Sequence, residues 1–316
     1  MNHKPVIGDD IALAARRLRA GKLVAFPTET VYGLGALAQD NKAVAEIYRA
    51  KNRPHSHPLI VHLPKPADVR KWAADIPQAA AKLMQAFMPG ALTLVLPRRA
   101  EVSSAICGGG DYVALRTPAH PLAKKLLKQT GAAIAAPSAN RFGRLSATCA
   151  EDVAAEFDNL DIYILRGKCD FGIESAIVGF YGNKPSLLRP GGIGKKQLRE
   201  VAGAPFCPPP PFARAPGMLP RHYAPKTPLV VVAAGCLHSA VKSTNHPAAL
   251  SARKPANVDA TLWRRASPDV CQYGRDLYKL LRELDNTKAD KIFVAAPPPD
   301  AKWAAIRDRL NRAANA

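Results

Sequence analysis

The chain has no C-x-x-C pair: its six cysteines, at positions 107, 149, 169, 207, 236 and 271, are scattered over 316 residues. That spacing fits neither a structural zinc site nor a dense disulfide framework, so free thiols in a reducing compartment are expected. No run approaches the roughly 18 apolar residues that cross a membrane, and Met-Asn-His-Lys-Pro lacks the apolar core of a secretory leader. A cytoplasmic protein with no membrane partner is the expectation. Aromatic residues make up only 6%, and none cluster along the sequence as base-stacking platforms do. Acids are also few, 25 against 45 Lys and Arg, for a formal net charge of +20. From Leu229 onward there are 14 basic and 8 acidic residues, so most of the excess precedes that point. Such a balance favours polyanionic partners; RNA would be held by backbone attraction rather than sequence readout.

Several catalytic signatures are missing. No G-x-x-x-x-G-K-[ST] phosphate loop exists: Lys22, Lys168 and Lys195 each follow a glycine, but none precedes Ser or Thr. No Ser-His-Asp or Cys-His arrangement has local support, and no dinucleotide fingerprint or internal repeat is present. Covalent catalysis is therefore not suggested. If a nucleotide binds, side-chain cations must hold its phosphates, and Lys51, Arg53 and Arg189 are candidates because a guanidinium offers bidentate donors.

What is present starts with Phe26-Pro27-Thr28-Glu29-Thr30-Val31-Tyr32-Gly33-Leu34-Gly35. The apolar Leu23 to Phe26 reads as a short strand that Pro27 stops, and a polar, glycine-containing loop follows. Further on come Lys51-Asn52-Arg53-Pro54 and the strand-like Pro58-Leu59-Ile60-Val61-His62. A polar loop after a strand, beside paired cations, suits an anionic small-molecule site in an α/β fold. Alone, each piece also reads as a turn or a solvated charge pair, and His62 as a core histidine.

Together these segments resemble the threonylcarbamoyl-AMP synthase (YrdC-like) family. The match continues in Ala135-Ala136-Pro137-Ser138-Ala139-Asn140, Gly172-Ile173-Glu174-Ser175, Leu188-Arg189-Pro190-Gly191, and Ala215-Pro216-Gly217-Met218 through Arg221-His222-Tyr223-Ala224-Pro225. The last segment marks the longer, two-domain branch. The resemblance implies formation of threonylcarbamoyl-adenylate and pyrophosphate from L-threonine, bicarbonate and ATP, for modification of tRNA. It implies Mg²⁺ carried chiefly by ATP's phosphates and no metal ligands from the protein. Partners would be these substrates, with tRNA or the tRNA threonylcarbamoyl transferase machinery beyond them.

By the same resemblance, Thr30, His62, Arg116, Ser138 and Ser175 form the threonine pocket, with Arg116 clamping the amino-acid carboxylate. Lys51, Arg53, His57, Tyr112, Asn140, Thr148, Arg189 and Tyr223 hold ATP, Tyr112 through its backbone and Tyr223 from a lid. Lys51 and Arg53 are the catalytic pair, stabilising charge during adenylyl transfer. Three positions depart from the family pattern: His57 replaces the usual Asn, while Ala176 and Gly179 replace Thr and Asp. Two alternatives stay open. One is a non-catalytic RNA-binding or ribosome-assembly module, motivated by the charge; the other is a carbamoyl-adenylate step like that of hydrogenase-maturation proteins.

Helical and apolar segments alternate, which predicts α/β layering. Helices are expected from Asp9 or Asp10 to Ala20, and over 41–50, 78–87, 121–130 and 194–201. Strands are expected over 22–26, 58–63, 91–96, 112–116, 132–136, 161–166 and 174–180. The resemblance makes this an open, twisted mixed sheet spanning a catalytic domain, 1–204. A proline-rich linker over 205–228 is expected to fold back as a lid. A small Rossmann-like α/β domain, 229–316, should follow, with a buried strand at 229–233, helices over 276–284 and 301–311, and a strand at 291–295.

Overall fold

A computed structural model describes residues 4–315. They divide into two compact units. The first takes in the described residues up to Phe142, then Ala147–Asp170 and Glu174–Met218. The second takes in Gly143–Ser146, Phe171–Ile173 and the residues from Leu219 on.

The first unit is built on a ten-stranded mixed sheet. Its strands are β1 (Val6–Gly8), β2 (Val24–Phe26), β3 (Gly33–Leu37), β4 (Ile60–His62), β5 (Leu92–Pro97), β6 (Tyr112–Arg116), β7 (Ile134–Ala135), β8 (Tyr163–Leu165), β9 (Ala176–Tyr181) and β10 (Lys184–Arg189). The spatial order is β1-β8-β2-β3-β7-β4-β6-β5-β9-β10. The sheet mixes parallel pairs such as β4 with β6 and antiparallel ones such as β5 with β6. Helices follow the expected bounds closely: α1 (Ile11–Arg19), α2 (Asn41–Lys51), α3 (Gln78–Phe87) and α4 (Pro121–Thr130). Asp10 caps α1 by accepting from Leu13 N at 2.9 Å, and Asp40 caps α2 through Lys42 N and Ala43 N. Two core clusters pack on this framework. Leu34, Ile47, Leu94, Leu115 and Phe157 belong to the larger, and Leu18, Phe26, Leu126 and Tyr163 to the smaller.

Three strands and one α-helix of this unit were not anticipated: β1, β3, β10 and α5 (Ala150–Glu156). β3 is the informative one. The expectation there is a polar, glycine-containing loop, and a glycine lets another group come close to the backbone. What approaches is the protein itself: a Cβ at Gly35 would lie 2.7 Å from Ile134 Cγ2 and 2.8 Å from the Phe26 ring. The glycine is a packing requirement inside a sheet. α6 (Lys195–Ala202) closes the sequence of helices in this unit.

The segment from Phe212 to Met218 belongs to the first unit. There Ala215 joins an apolar cluster with Ile60, Ala114, Ile177 and Leu188, and Ala213 and Met218 pack against it.

The second unit carries a four-stranded, all-parallel sheet in the order β11-β14-β12-β13, formed by Leu229–Val232, Lys291–Ala295, Pro247–Ser251 and Trp263–Arg265. The expected strand is present as the edge strand β11, but of its residues only Leu229 is buried and the other three are half-buried. The helix expected over 276–284 runs from Val270 to Asp285, capped by Asp269 accepting from Gln272 N at 2.8 Å. The fold class is thus mixed α/β with a large mixed sheet and a separate small parallel sheet.

Candidate active site

Two residues after β2 ends, the Thr-Glu-Thr loop turns on its own hydroxyls. Thr28 Oγ1 donates to Val31 O at 2.7 Å and lies 2.7 Å from Thr30 Oγ1. Both threonines and Glu29 between them are buried. The register of β4 and β6 sets His62 beside Arg116, at matching strand ends. Arg116 then reaches the loop. Its Nη1 donates to Thr30 Oγ1 and its Nη2 to Glu29 Oε1, each at 2.7 Å, while Nε donates to Gly90 O at 3.2 Å.

A guanidinium carries five N–H donors. Three are used here, which leaves one N–H on each terminal nitrogen for an incoming carboxylate. Glu29 was not singled out in the sequence, although it stands inside the most informative segment. Its signal was a carboxylate in an otherwise hydroxyl-rich loop, without a visible partner 87 positions away. Burial pushes its pKa up, but the charge and hydrogen bonds of Arg116 outweigh this and hold the carboxyl below its ordinary value. Glu29 Oε2 also accepts from His120 N at 3.2 Å. His62 is pushed down to about 3 by burial and by the Arg116 charge, so its imidazole is neutral at ordinary pH. Its Nδ1 is buried and has no hydrogen-bond partner among the described residues.

Lys51 ends α2, and Asn52 follows in the left-handed region at φ 52°, a conformation Asn tolerates well. This turn separates the two cations. Lys51 goes inward, where Nζ donates to Ser138 O at 2.6 Å and also to Asn140 O. Fully buried, and beside Arg53, it is held well below the ordinary lysine range. Arg53 turns instead to the 57–58 loop: Nη2 donates to Pro58 O at 2.8 Å and Nε to His57 O at 3.3 Å. Its guanidinium sits 5.3 Å from the Phe142 ring, which is also 5.0 Å from the His57 ring. Burial, then Arg53 and Arg214, lower the His57 pKa.

The strip Pro137–Asn140 joins the two groups. On the threonine-loop side, Leu34 N donates to Pro137 O and Ala139 N to Tyr32 O. On the other side Lys51 takes the Ser138 and Asn140 carbonyls. Residues matched to the amino acid and residues matched to the nucleotide therefore meet along one four-residue segment.

A third group lies at β9 and β10, one strand (β5) away from the β6 that carries Arg116. Arg189, near the end of β10, donates from Nε to Ser175 O at 3.0 Å, from Nη2 to Ser175 Oγ at 3.2 Å and from Nη1 to Pro216 O at 3.1 Å. Ser175 Oγ also lies 2.8 Å from Thr93 Oγ1, a partner the sequence did not reveal. Thr148 N donates to Asp152 Oδ2 at 3.3 Å, and the neighbouring Ala147 O accepts from Tyr32 N. The Tyr112 side chain is engaged as well as its backbone: its ring packs 4.9 Å from Tyr181 and 6.2 Å from Phe212. Tyr223 belongs to the second unit. There it is buried at φ 59°, with its ring 4.1 Å from His222 and 5.1 Å from the Arg309 guanidinium.

Comparison with known proteins gives a consistent result. A family model named for Sua5, YciO and YrdC and described as "Telomere recombination" matches residues 16–191. A second, "Threonylcarbamoyl-AMP synthase, C-terminal domain", matches 193–315. The chain is 37% identical over 319 residues to the threonylcarbamoyl-AMP synthase of Pyrococcus abyssi, covering 96% of this chain and 93% of that one. It is 38% identical over 330 residues to the Bacillus subtilis protein of the same name, covering 96% and 92%. A solved structure of P. abyssi Sua5 complexed with L-threonine superposes with a TM-score of 0.89 at 35% identity, covering 99% of this chain and 98% of that one.

Proposed function

This chain belongs to the Sua5/YciO/YrdC family, in the form that carries the threonylcarbamoyl-AMP synthase C-terminal domain, and on that premise we propose that it makes threonylcarbamoyl-adenylate from L-threonine, bicarbonate and ATP. The amine of threonine combines with bicarbonate, losing water, to give an N-carboxylate. An oxygen of that carboxylate attacks the α-phosphorus of ATP, and the bond to pyrophosphate breaks. Both the attacking group and the leaving group are anions. The protein's task is therefore to position them and to offset their charge.

The observation that carries this reading is the strip Pro137–Asn140, bordered on one side by the Thr30–Arg116 group and on the other by Lys51. In the proposed complex the two remaining N–H groups of Arg116 take the threonine carboxylate. The neutral His62, Thr30, Ser138 and Ser175 complete that pocket. Lys51, Arg53, His57, Asn140, Thr148 and Arg189 serve the nucleotide, with Lys51 and Arg53 nearest the transferred charge. Mg²⁺ enters as part of the substrate. This ion prefers phosphate oxygens and water. The product is an acyl-phosphate anhydride, suited to passing its threonylcarbamoyl group to a tRNA adenosine through a partner enzyme.

Pyrophosphate release tests the reading. It should require ATP, threonine and bicarbonate together. Release from ATP alone, or none with all three, contradicts it.

A further inference from the structure

The sheet register brings into one row residues that the motif match left apart. Leu94 of β5 faces Leu115 of β6, so the next residues outward, Thr93 and Arg116, stand opposite each other. Across β6, Arg116 pairs with His62 of β4. Across β5, Thr93 pairs with Ile177 of β9, two positions beyond Ser175. Side chains that are paired across strands, or two apart along one, share a face of the sheet. His62, Arg116, Thr93 and Ser175 therefore lie on one face. Thr93 is the member of this set to which no role has been given. It stands between the arginine matched to the threonine carboxylate and the serine held by Arg189.

Hydrogen-bond accounting gives this group an unmet need. Thr93 and Ser175 are fully buried, and their hydroxyl oxygens lie 2.8 Å apart. Arg189 Nη2 donates to Ser175 Oγ at 3.2 Å. Thr93 Oγ1 has no other hydrogen-bond partner among the described residues. A hydroxyl gives one proton and accepts at two lone pairs. If Ser175 donates to Thr93, the Thr93 proton is left inside the sheet with no acceptor. If Thr93 donates to Ser175, the serine oxygen takes two bonds and its own proton is left over. Either way the group is one acceptor short, and a buried donor without a partner is costly. A ligand can supply the acceptor at Ser175, which the motif match places in the threonine pocket.

The chemistry of that acceptor follows. A serine oxygen already accepting two bonds can only donate, so it turns away an ammonium, which carries donors alone. The Arg189 guanidinium beside it favours an acceptor with negative charge. Arg189 also holds the Ser175 carbonyl from Nε at 3.0 Å, which keeps the serine in place. In the proposed reaction two groups meet these terms: threonine's own carboxylate and the N-carboxylate made from bicarbonate. Both present carboxylate oxygens.

We propose that Thr93 is a positioning residue for Ser175. Its hydroxyl donates to Ser175 Oγ, fills the second lone pair there and leaves the serine proton for a carboxylate oxygen of the substrate. The proposal rests on the reading of this site as one that binds threonine. Thr93 touches no substrate and acts through Ser175 alone.

Calorimetric titration of threonine into full-length wild type, Thr93→Val and Thr93→Ser, with pyrophosphate release followed as bicarbonate is varied, tests it. Thr93→Val keeps the branched shape and removes the hydroxyl; Thr93→Ser keeps the hydroxyl. If Ser175 serves the threonine carboxylate, the Kd for threonine should rise roughly 3- to 10-fold in Thr93→Val. If it serves the N-carboxylate, that Kd should hold and the KM for bicarbonate should rise by the same factor. Thr93→Ser should match the wild type in both constants. In a Ser175→Ala background Thr93→Val should add nothing further, because the group through which it acts is gone. Both constants unchanged in Thr93→Val overturn the proposal, and so does a double variant whose losses add. A loss in Thr93→Ser as large as that in Thr93→Val overturns it too, since the hydroxyl is then not what matters. A wild type that binds no threonine overturns the underlying threonine reading instead, and the positioning role with it.

Discussion

Glu29 Oε1 lies 2.7 Å from Arg116 Nη2, and both side chains are almost wholly buried. The pair fixes Arg116 in one orientation while leaving two of its donors unused. A substrate that brings both a carboxylate and an ammonium can enter such a site without leaving a net buried charge.

Removing one partner leaves the other charged and buried, which costs about 3–5 kcal/mol. Glu29→Gln should therefore lower the melting temperature and raise the Kd for threonine at least tenfold, while ATP affinity changes little. Glu29→Asp, which keeps the charge, should recover much of the stability. Calorimetry with each substrate checks both. Wild-type threonine affinity in a folded Glu29→Gln protein contradicts the positioning role.

The same pair shapes the acid response. Glu29 is depressed below its ordinary 4.5 in the folded protein, so the unfolded chain binds the proton more readily. Its contribution to stability is full above about 4.5 and is lost as pH falls through the lower folded value. His62 adds to the slope. Pushed down to about 3, it stays neutral in the fold while the unfolded chain protonates near 6.5. Melting temperature should begin to fall below pH ~6.5 and fall more steeply below 4.5; a flat profile across both windows contradicts these environments.

Lys51 and Arg53 separate in their structural cost. Either alanine variant should reduce turnover about a hundredfold or more, as loss of electrostatic stabilisation does. Lys51→Ala also removes a buried donor from the Ser138 and Asn140 carbonyls, at about 0.5–1.5 kcal/mol for each hydrogen bond lost. Thermal melts together with pyrophosphate release resolve the two effects. Near-normal release from either folded variant removes that residue from the catalytic pair.

His57 gives a proton-linked signature. Burial, Arg53 and Arg214 lower its pKa in the free protein, so near neutrality it is uncharged. Phosphates arriving beside Arg53 should raise it, because an opposite charge favours the imidazolium. ATP binding near pH 6–7 should then take up protons, and affinity should weaken as pH rises through the bound-state value. Binding enthalpies in buffers of different ionisation heat measure the uptake. His57→Asn should lose it, and equal uptake in both proteins excludes His57.

Much of this architecture was readable from sequence where apolar periodicity and a cap agree, as in α1, which Asp10 caps. What escaped was set by distant contacts. β3 looks like a glycine loop because its glycines answer to Ile134 and Phe26. Lys51 looks like a surface cation until its helix end turns it onto the 138–140 strip. Glu29 and Thr93 were invisible as site residues because their partners, Arg116 and Ser175, lie more than 80 positions away. The rings of Tyr112, Tyr181 and Phe212 likewise meet only once β6, β9 and the proline-rich segment converge.

The most direct test of the central claim follows the carbon of bicarbonate. Wild-type protein incubated with ATP, threonine and carbon-13 bicarbonate should yield threonylcarbamoyl-adenylate carrying the label, together with pyrophosphate in equal amount. Pyrophosphate without a labelled adenylate, or an adenylate formed equally well without bicarbonate, contradicts the account.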